Sequence, residues 1–272
     1  MTPNELIDDL LNFIPSVGNH EAGSGELCAM EYVAFLAGEE HSDFPKCACP
    51  VISLYVQTLN DRMNEDWRYQ LRGYLLRLIG NRDPKSETER ADYLVFQVGH
   101  VYAPMLLRSL KSKAFDVLAE RLERSRTLQE QVAIYPRAAQ LAWIVPDYIQ
   151  YATRRFLAEA GALAHSRIRE TAASAEGAQN PLTHQIFRNM IASRVGRDED
   201  KAVLQIGPIA NTMATFYATY LISDALRCAR SRTDWQAIID TLDGVLAIGK
   251  QAEEAPNHLE DRIHSVNELV SA

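Results

Sequence analysis

Three of the four cysteines and two of the seven histidines fall between residues 20 and 49, in the order His20, Cys28, Glu31, His41, Asp43, Cys47, Cys49. Thiolates and imidazoles are the usual ligands of tetrahedral zinc, and Cys28, Cys47 and Cys49 with either His20 or His41 supply the four needed. The Cys-x-Cys spacing is a weaker signal than Cys-x-x-Cys, because adjacent side chains of an extended segment diverge. A second chemistry uses Cys28 as a thiol nucleophile, with His20, His41 or His100 as its base. Glu31, one helical turn beyond Cys28, is then the candidate general base beside a catalytic metal or thiol. The plainest alternative makes Cys28 a small core residue and the Cys47/Cys49 pair incidental. No phosphate-binding loop, dinucleotide fingerprint, His-Glu-x-x-His or Gly-x-Ser-x-Gly accompanies the cluster.

Helices must position these groups, since the apolar periodicity is helical nearly throughout and no strand pair stands out. Thr2, Pro3 and Glu5 open a helix that runs to about Ile14 before Pro15. Residues 16–25 read as a loop, and Ser24 as the cap of a helix carrying Leu27, Met30, Val33, Ala34 and Ala37 up to Gly38. Cys49 takes the cap position of a helix that Pro50 begins, and Asn64 caps another over 67–79. Cys28 and Cys49 then both face the positive end of a helix dipole, which favours thiolate. Ser86 caps the next helix, which Pro104 should kink or end. Further helices are expected over 112–125, 137–145, 147–173, 182–194, 208–231 and 234–249, with a charged helix or tail after Pro256. The reading is an all-α irregular bundle in one or two lobes. Its best internal boundary is Thr171–Asn180, which would divide residues 1–170 from 181–272.

Composition narrows the function classes. The 272 residues are 47% apolar and 24% charged, ordinary for a folded domain and too apolar for a disordered chain. No apolar run approaches the ~18 residues of a membrane span. Met1–Glu5 has no basic leader, so the expected location is cytoplasmic and disulfides are not expected. The net charge of −8 is uneven: residues 1–66 carry 12 acidic and 2 basic groups, whereas residues 67–249 carry 19 and 24. A surplus of five positive charges over that middle is too diffuse for nucleic acid to be the main partner. Asn211, Thr215, Thr219 and Ser223 form a polar stripe at four-residue spacing, beside Tyr217, Tyr220 and Asp224, and read as a solvent face. Arg167 and Arg169 read as part of a solvated basic face, and Trp67, Trp143 and Trp235 as packing anchors.

Gly18-Asn19-His20, Cys28-Ala29-Met30-Glu31, Gly38-Glu39, Ser42–Val51 and Asn60-Asp61 together resemble a segment of uncharacterised bacterial and phage-associated proteins. The resemblance covers residues 18–62, and it implies a shared local structure rather than an activity. Two functions follow. One is a helical interaction or regulatory protein with a structural zinc, whose acidic N-terminal surface suits a basic partner, in a phage setting a host protein. The other is an enzyme whose Cys28/Glu31/Cys47/Cys49 cluster, with His20 or His41, holds a catalytic metal or a thiol.

Overall fold

The computed structural model describes residues 14–175 and 209–249. The fold is all-α, with no strand among the described residues. The helices expected over 2–14 and 182–194, and the tail after Pro256, lie outside the described residues, as does half of the boundary expected at 171–180, whose first five residues are helical. The chain forms two compact units, one of residues up to Glu87 together with those from Leu242 onward, the other Thr88–Thr241.

The first unit begins with α1 (Ala29–Ala37), whose C-cap Gly38 adopts a left-handed φ of 76°. That conformation costs a side-chain-bearing residue about 1 kcal/mol or more, so glycine ends the helix there. Helix α2 (Pro50–Arg62) starts as its sequence dictates, with Cys49 as N-cap and proline at the first helical position. Helix α3 (Glu65–Leu71) is capped by the Asn64 side chain, which accepts the Trp67 N–H at 3.1 Å. The helix expected to continue to residue 79 tightens instead into a 3₁₀ turn at Arg72–Tyr74 and resumes as α4 (Leu75–Leu78). Met30, Tyr32, Val33 and Leu36 of α1, Ile52, Tyr55 and Leu59 of α2, and Leu75 and Leu78 of α4 are buried. Asp243 accepts from Tyr74 Oη at 2.9 Å and pairs with Arg77 at 2.7 Å, which fastens helical residues 242–247 to the rest of this unit.

In the second unit α5 (Glu87–Gln97) runs into a π-helical turn, Val98–Tyr102, before α6 (Ala103–Ser109). Proline at 104 has no N–H to donate one turn back, and the wider turn absorbs the break without ending the helical run. Helix α7 (Lys113–Glu123) and α8 (Leu128–Leu141) follow, then a 3₁₀ turn at Ala142–Ile144, α9 (Asp147–Ala175), α10 (Ile209–Leu226) and α11 (Arg232–Ala247), whose residues from Leu242 onward belong to the first unit. Helix α8 begins nine residues before the start expected from sequence and carries Pro136 inside it. Thr127 caps it by accepting Glu130 N–H, and Ile134, Tyr135 and Ala138 are buried on one face. Pro136 is exposed and Val132, whose carbonyl loses its partner, is half-buried, so water can replace the missing bond.

The polar stripe on α10 is buried rather than solvated: Asn211, Thr215 and Thr219 are at most 5% exposed. Asn211 donates to Thr88 Oγ1 at 2.9 Å and accepts from the Arg167 guanidinium at 2.8 Å. Arg167, expected on a solvated face, is likewise buried and pairs with Asp92 of α5. A buried charge is tolerable only when paired and hydrogen-bonded, and this junction of α5, α9 and α10 supplies both. The stripe's periodicity told of a face but not of which side it faced.

Candidate functional site

The site is built in the first unit around a single buried carboxylate. Cys28 is the N-cap of α1, in extended conformation, and its Sγ accepts the Glu31 N–H at 3.4 Å. Glu31 returns the contact, its Oε2 accepting the Cys28 N–H at 2.7 Å. This is a capping box with cysteine in the place usually held by serine or threonine. The same carboxylate reaches the preceding loop, where Oε1 accepts the His20 N–H at 2.7 Å and Oε2 meets His20 Nδ1 at 2.9 Å. The His41 ring donates from Nε2 to the His20 carbonyl at 2.7 Å and lies 3.6 Å from Glu31 Oε1. Glu31 thus holds two loops and a helix start together while only 1% exposed.

Other side chains lock the same loop from α2. Asn60 donates to the Ser16 carbonyl at 2.7 Å and accepts the Ala29 N–H at 3.3 Å, and Asp61 accepts the Gly18 N–H at 2.9 Å. Further along, the Glu39 carboxylate accepts the Lys46 and Cys47 N–H groups at 2.5 and 2.7 Å. The Cys49 N–H donates to Asn81 Oδ1 at 2.8 Å, and the Cys47 carbonyl accepts the Arg82 N–H at 3.2 Å. Glu31, Glu39, Asn60 and Asp61 therefore act as backbone ties, with the His20 and Cys28 N–H groups among those they hold.

The electrostatics run against a nucleophile. Burial pushes the Cys28 thiol up to about 12, and the Glu31 carboxylate adds to the rise. Cys47 is likewise raised to about 12, by burial first and then by Glu39. The thiolate expected at Cys28 from its helix dipole is thus outweighed by desolvation and a neighbouring negative charge. Burial also raises the Glu31 carboxyl, but the N–H groups of Cys28 and His20 and the His20 ring outweigh it and hold Glu31 below the usual carboxylate range. A carboxylate so firmly ionised and so fully bonded makes a poor general base at neutral pH.

The structure therefore brings together His20, Cys28, Glu31 and His41. Cys47 is fastened by Glu39 and Arg82, and Cys49 caps α2. Among the described residues no group of three or more histidine, cysteine or acidic side chains is disposed to hold a metal ion. The second unit exposes Trp143, which was expected to be a packing anchor, and with it Ile144 and Tyr151. Trp143 is 60% exposed, Ile144 63% and Tyr151 74%. The Arg154 guanidinium lies over the Trp143 ring at 3.5 Å, and Gln150 Nε2 donates to the Trp143 carbonyl at 2.9 Å. Their signal in sequence was slight: a tryptophan just before Pro146, at the break between two helical patterns. No helix among the described residues is long and apolar enough to cross a membrane. No family model, curated protein or solved structure matches the chain.

Proposed function

We propose that the chain is a helical interaction protein that acts by binding a protein partner. The carrying observation is the exposed group of Trp143, Ile144 and Tyr151, with Arg154 stacked on the tryptophan. Large apolar side chains on a surface cost solubility unless something covers them, and tryptophan, tyrosine and arginine dominate the energetically decisive positions of protein interfaces. The stacked arginine is pre-ordered, which lowers the entropy lost on docking. The N-terminal cluster supports the same reading, because the Glu31 carboxylate is occupied as a tie and burial holds the Cys28 and Cys47 thiols protonated. The resemblance of residues 18–62 to phage-associated segments suits a host protein as the partner.

The test is comparative co-purification from cells that carry the gene, using the native chain and a Trp143→Ala/Tyr151→Ala variant. Both side chains are exposed, so the variant should keep its helical circular dichroism and melting temperature. The expected result is a protein retained stoichiometrically by the native chain and lost by the variant. Identical sets of retained proteins would overturn the proposal.

A further inference from the structure

A cleft of about 410 Å³ opens in the first unit, lined by Ile14, Pro15, Ser16, Val17, Glu26, Glu65 and Arg68. Its charges are mixed. Glu26 and Glu65 are exposed carboxylates, and Glu26 Oε2 stands 3.4 Å from His20 Nε2 at the edge of the loop knot. Arg68 donates from one terminal nitrogen to the Pro15 carbonyl at 3.2 Å, while its Nε is buried without a hydrogen-bond partner. One turn along the same helical face stands Arg72, only 5% exposed, its guanidinium over the Tyr69 ring. A terminal nitrogen of Arg72 is also buried and unpartnered. Burial lowers the Arg72 guanidinium from its usual range, the direction expected of a cation that lacks a counter-charge. Neither arginine forms an ion pair among the described residues, whereas the buried Arg167 of the second unit has Asp92.

Two like charges at i,i+4 repel, and desolvated guanidinium nitrogens without acceptors are costly. An anion is the natural complement. A multiply charged anion such as phosphate would face Glu26 and Glu65 across the same cleft and be repelled. A ligand carrying one carboxylate and one ammonium satisfies both sides. We propose that this cleft binds a small zwitterion of the amino-acid class, its carboxylate on Arg68 with Arg72 reinforcing the positive field, and its ammonium between Glu26 and Glu65. The site lies apart in sequence from the aromatic surface of the second unit and stands or falls separately from it.

The experiment uses the full chain labelled with ¹⁵N-arginine, so that each guanidinium Nε–H gives its own signal. Glycine, 4-aminobutyrate and 6-aminohexanoate are titrated against sodium acetate, sodium phosphate and methylammonium chloride at matched ionic strength. At least one zwitterion should move the Arg68 signal, identified by its loss in Arg68→Gln, and bind about tenfold or more tightly than acetate. Glu65→Gln and Glu26→Gln, at exposed positions, should each shrink that advantage while leaving the fold intact. Trp143→Ala/Tyr151→Ala should leave it unchanged. The proposal is overturned if no zwitterion exceeds acetate, if phosphate binds best, or if the advantage survives in both glutamate variants.

Discussion

At the scale of single residues, Glu31 matters most. It accepts two backbone N–H groups and a histidine ring while almost wholly buried. Hydrogen bonds to a charged group contribute about 1.5–3 kcal/mol each, and the two backbone donors would be orphaned without it. Glu31→Gln should therefore cost about 2–4 kcal/mol by denaturant titration at pH 7. The pH dependence has a definite sign. Glu31 is held below the ordinary glutamate value, so its contribution is complete above about pH 4.3 and fades as pH falls through the folded value. Between pH 5 and 3 the native chain should lose stability more steeply than Glu31→Gln; equal slopes would show that the carboxylate is not the source. Because hydrogen bonds already join the loops that a metal would otherwise clamp, dialysis against a chelator should leave the melting temperature unchanged. A fall of several degrees, with zinc found by elemental analysis, would reinstate Cys28, Cys47, Cys49 and a histidine as ligands. The sequence made the proximity of His20, Cys28, Glu31 and His41 legible, because loop length and helix phase are local matters. The protonation of Cys28 was not legible, since it depends on desolvation by a core that no local pattern displays.

At the scale of elements, most caps were readable, although Ser24, expected to cap the first described helix, lies in the loop before it and Cys28 takes the cap. Cys49 before Pro50, Asn64 before α3 and Gly38 after α1 each act through groups within four residues, so short-range chemistry decides them. The helix expected from residue 137 starts at Leu128 because the packing of Ile134, Tyr135 and Ala138 outweighs the one hydrogen bond lost at the exposed Pro136. The π turn at 98–102 has its own supporting chemistry. The Phe96 carbonyl accepts the Gln131 side-chain amide at 3.0 Å, and His100 stacks on Phe96 with ring centres 5.2 Å apart. Gly99 lets α8 approach, for a Cβ there would lie 2.2 Å from Gln131 Oε1 and 2.6 Å from Tyr135 Oη. Both neighbours are buried, so neither can swing clear into solvent. Gly99→Ala should thus destabilise the protein by about 1–3 kcal/mol, the usual cost of overpacking, although alanine is the better helix former. A stability equal to or above that of the native chain would show that α5 and α8 can separate there at no cost.

For the whole molecule, the all-α class was evident from periodicity, because the class depends on many weak local signals summed along the chain. The division into units was not, since contact between residues far apart in sequence leaves no mark in a single sequence. The same blindness turned the α10 stripe and Trp143 inside out: a period specifies a face, and only the partner elements decide whether that face meets water. The arrangement of the units has a consequence for synthesis. The first unit is interrupted by the second and is completed only by residues from Leu242 onward, among them the buried Leu242, Val245 and Leu246 and the Asp243 that binds Tyr74 and Arg77. On a ribosome that has reached Thr241, every residue of Thr88–Thr241 has been made, yet the unit begun first still lacks its last apolar turn. Vectorial synthesis thus completes the residues of the inserted unit before those of the unit that encloses it in sequence, whose Tyr74 and Arg77 wait longest for their Asp243 partner.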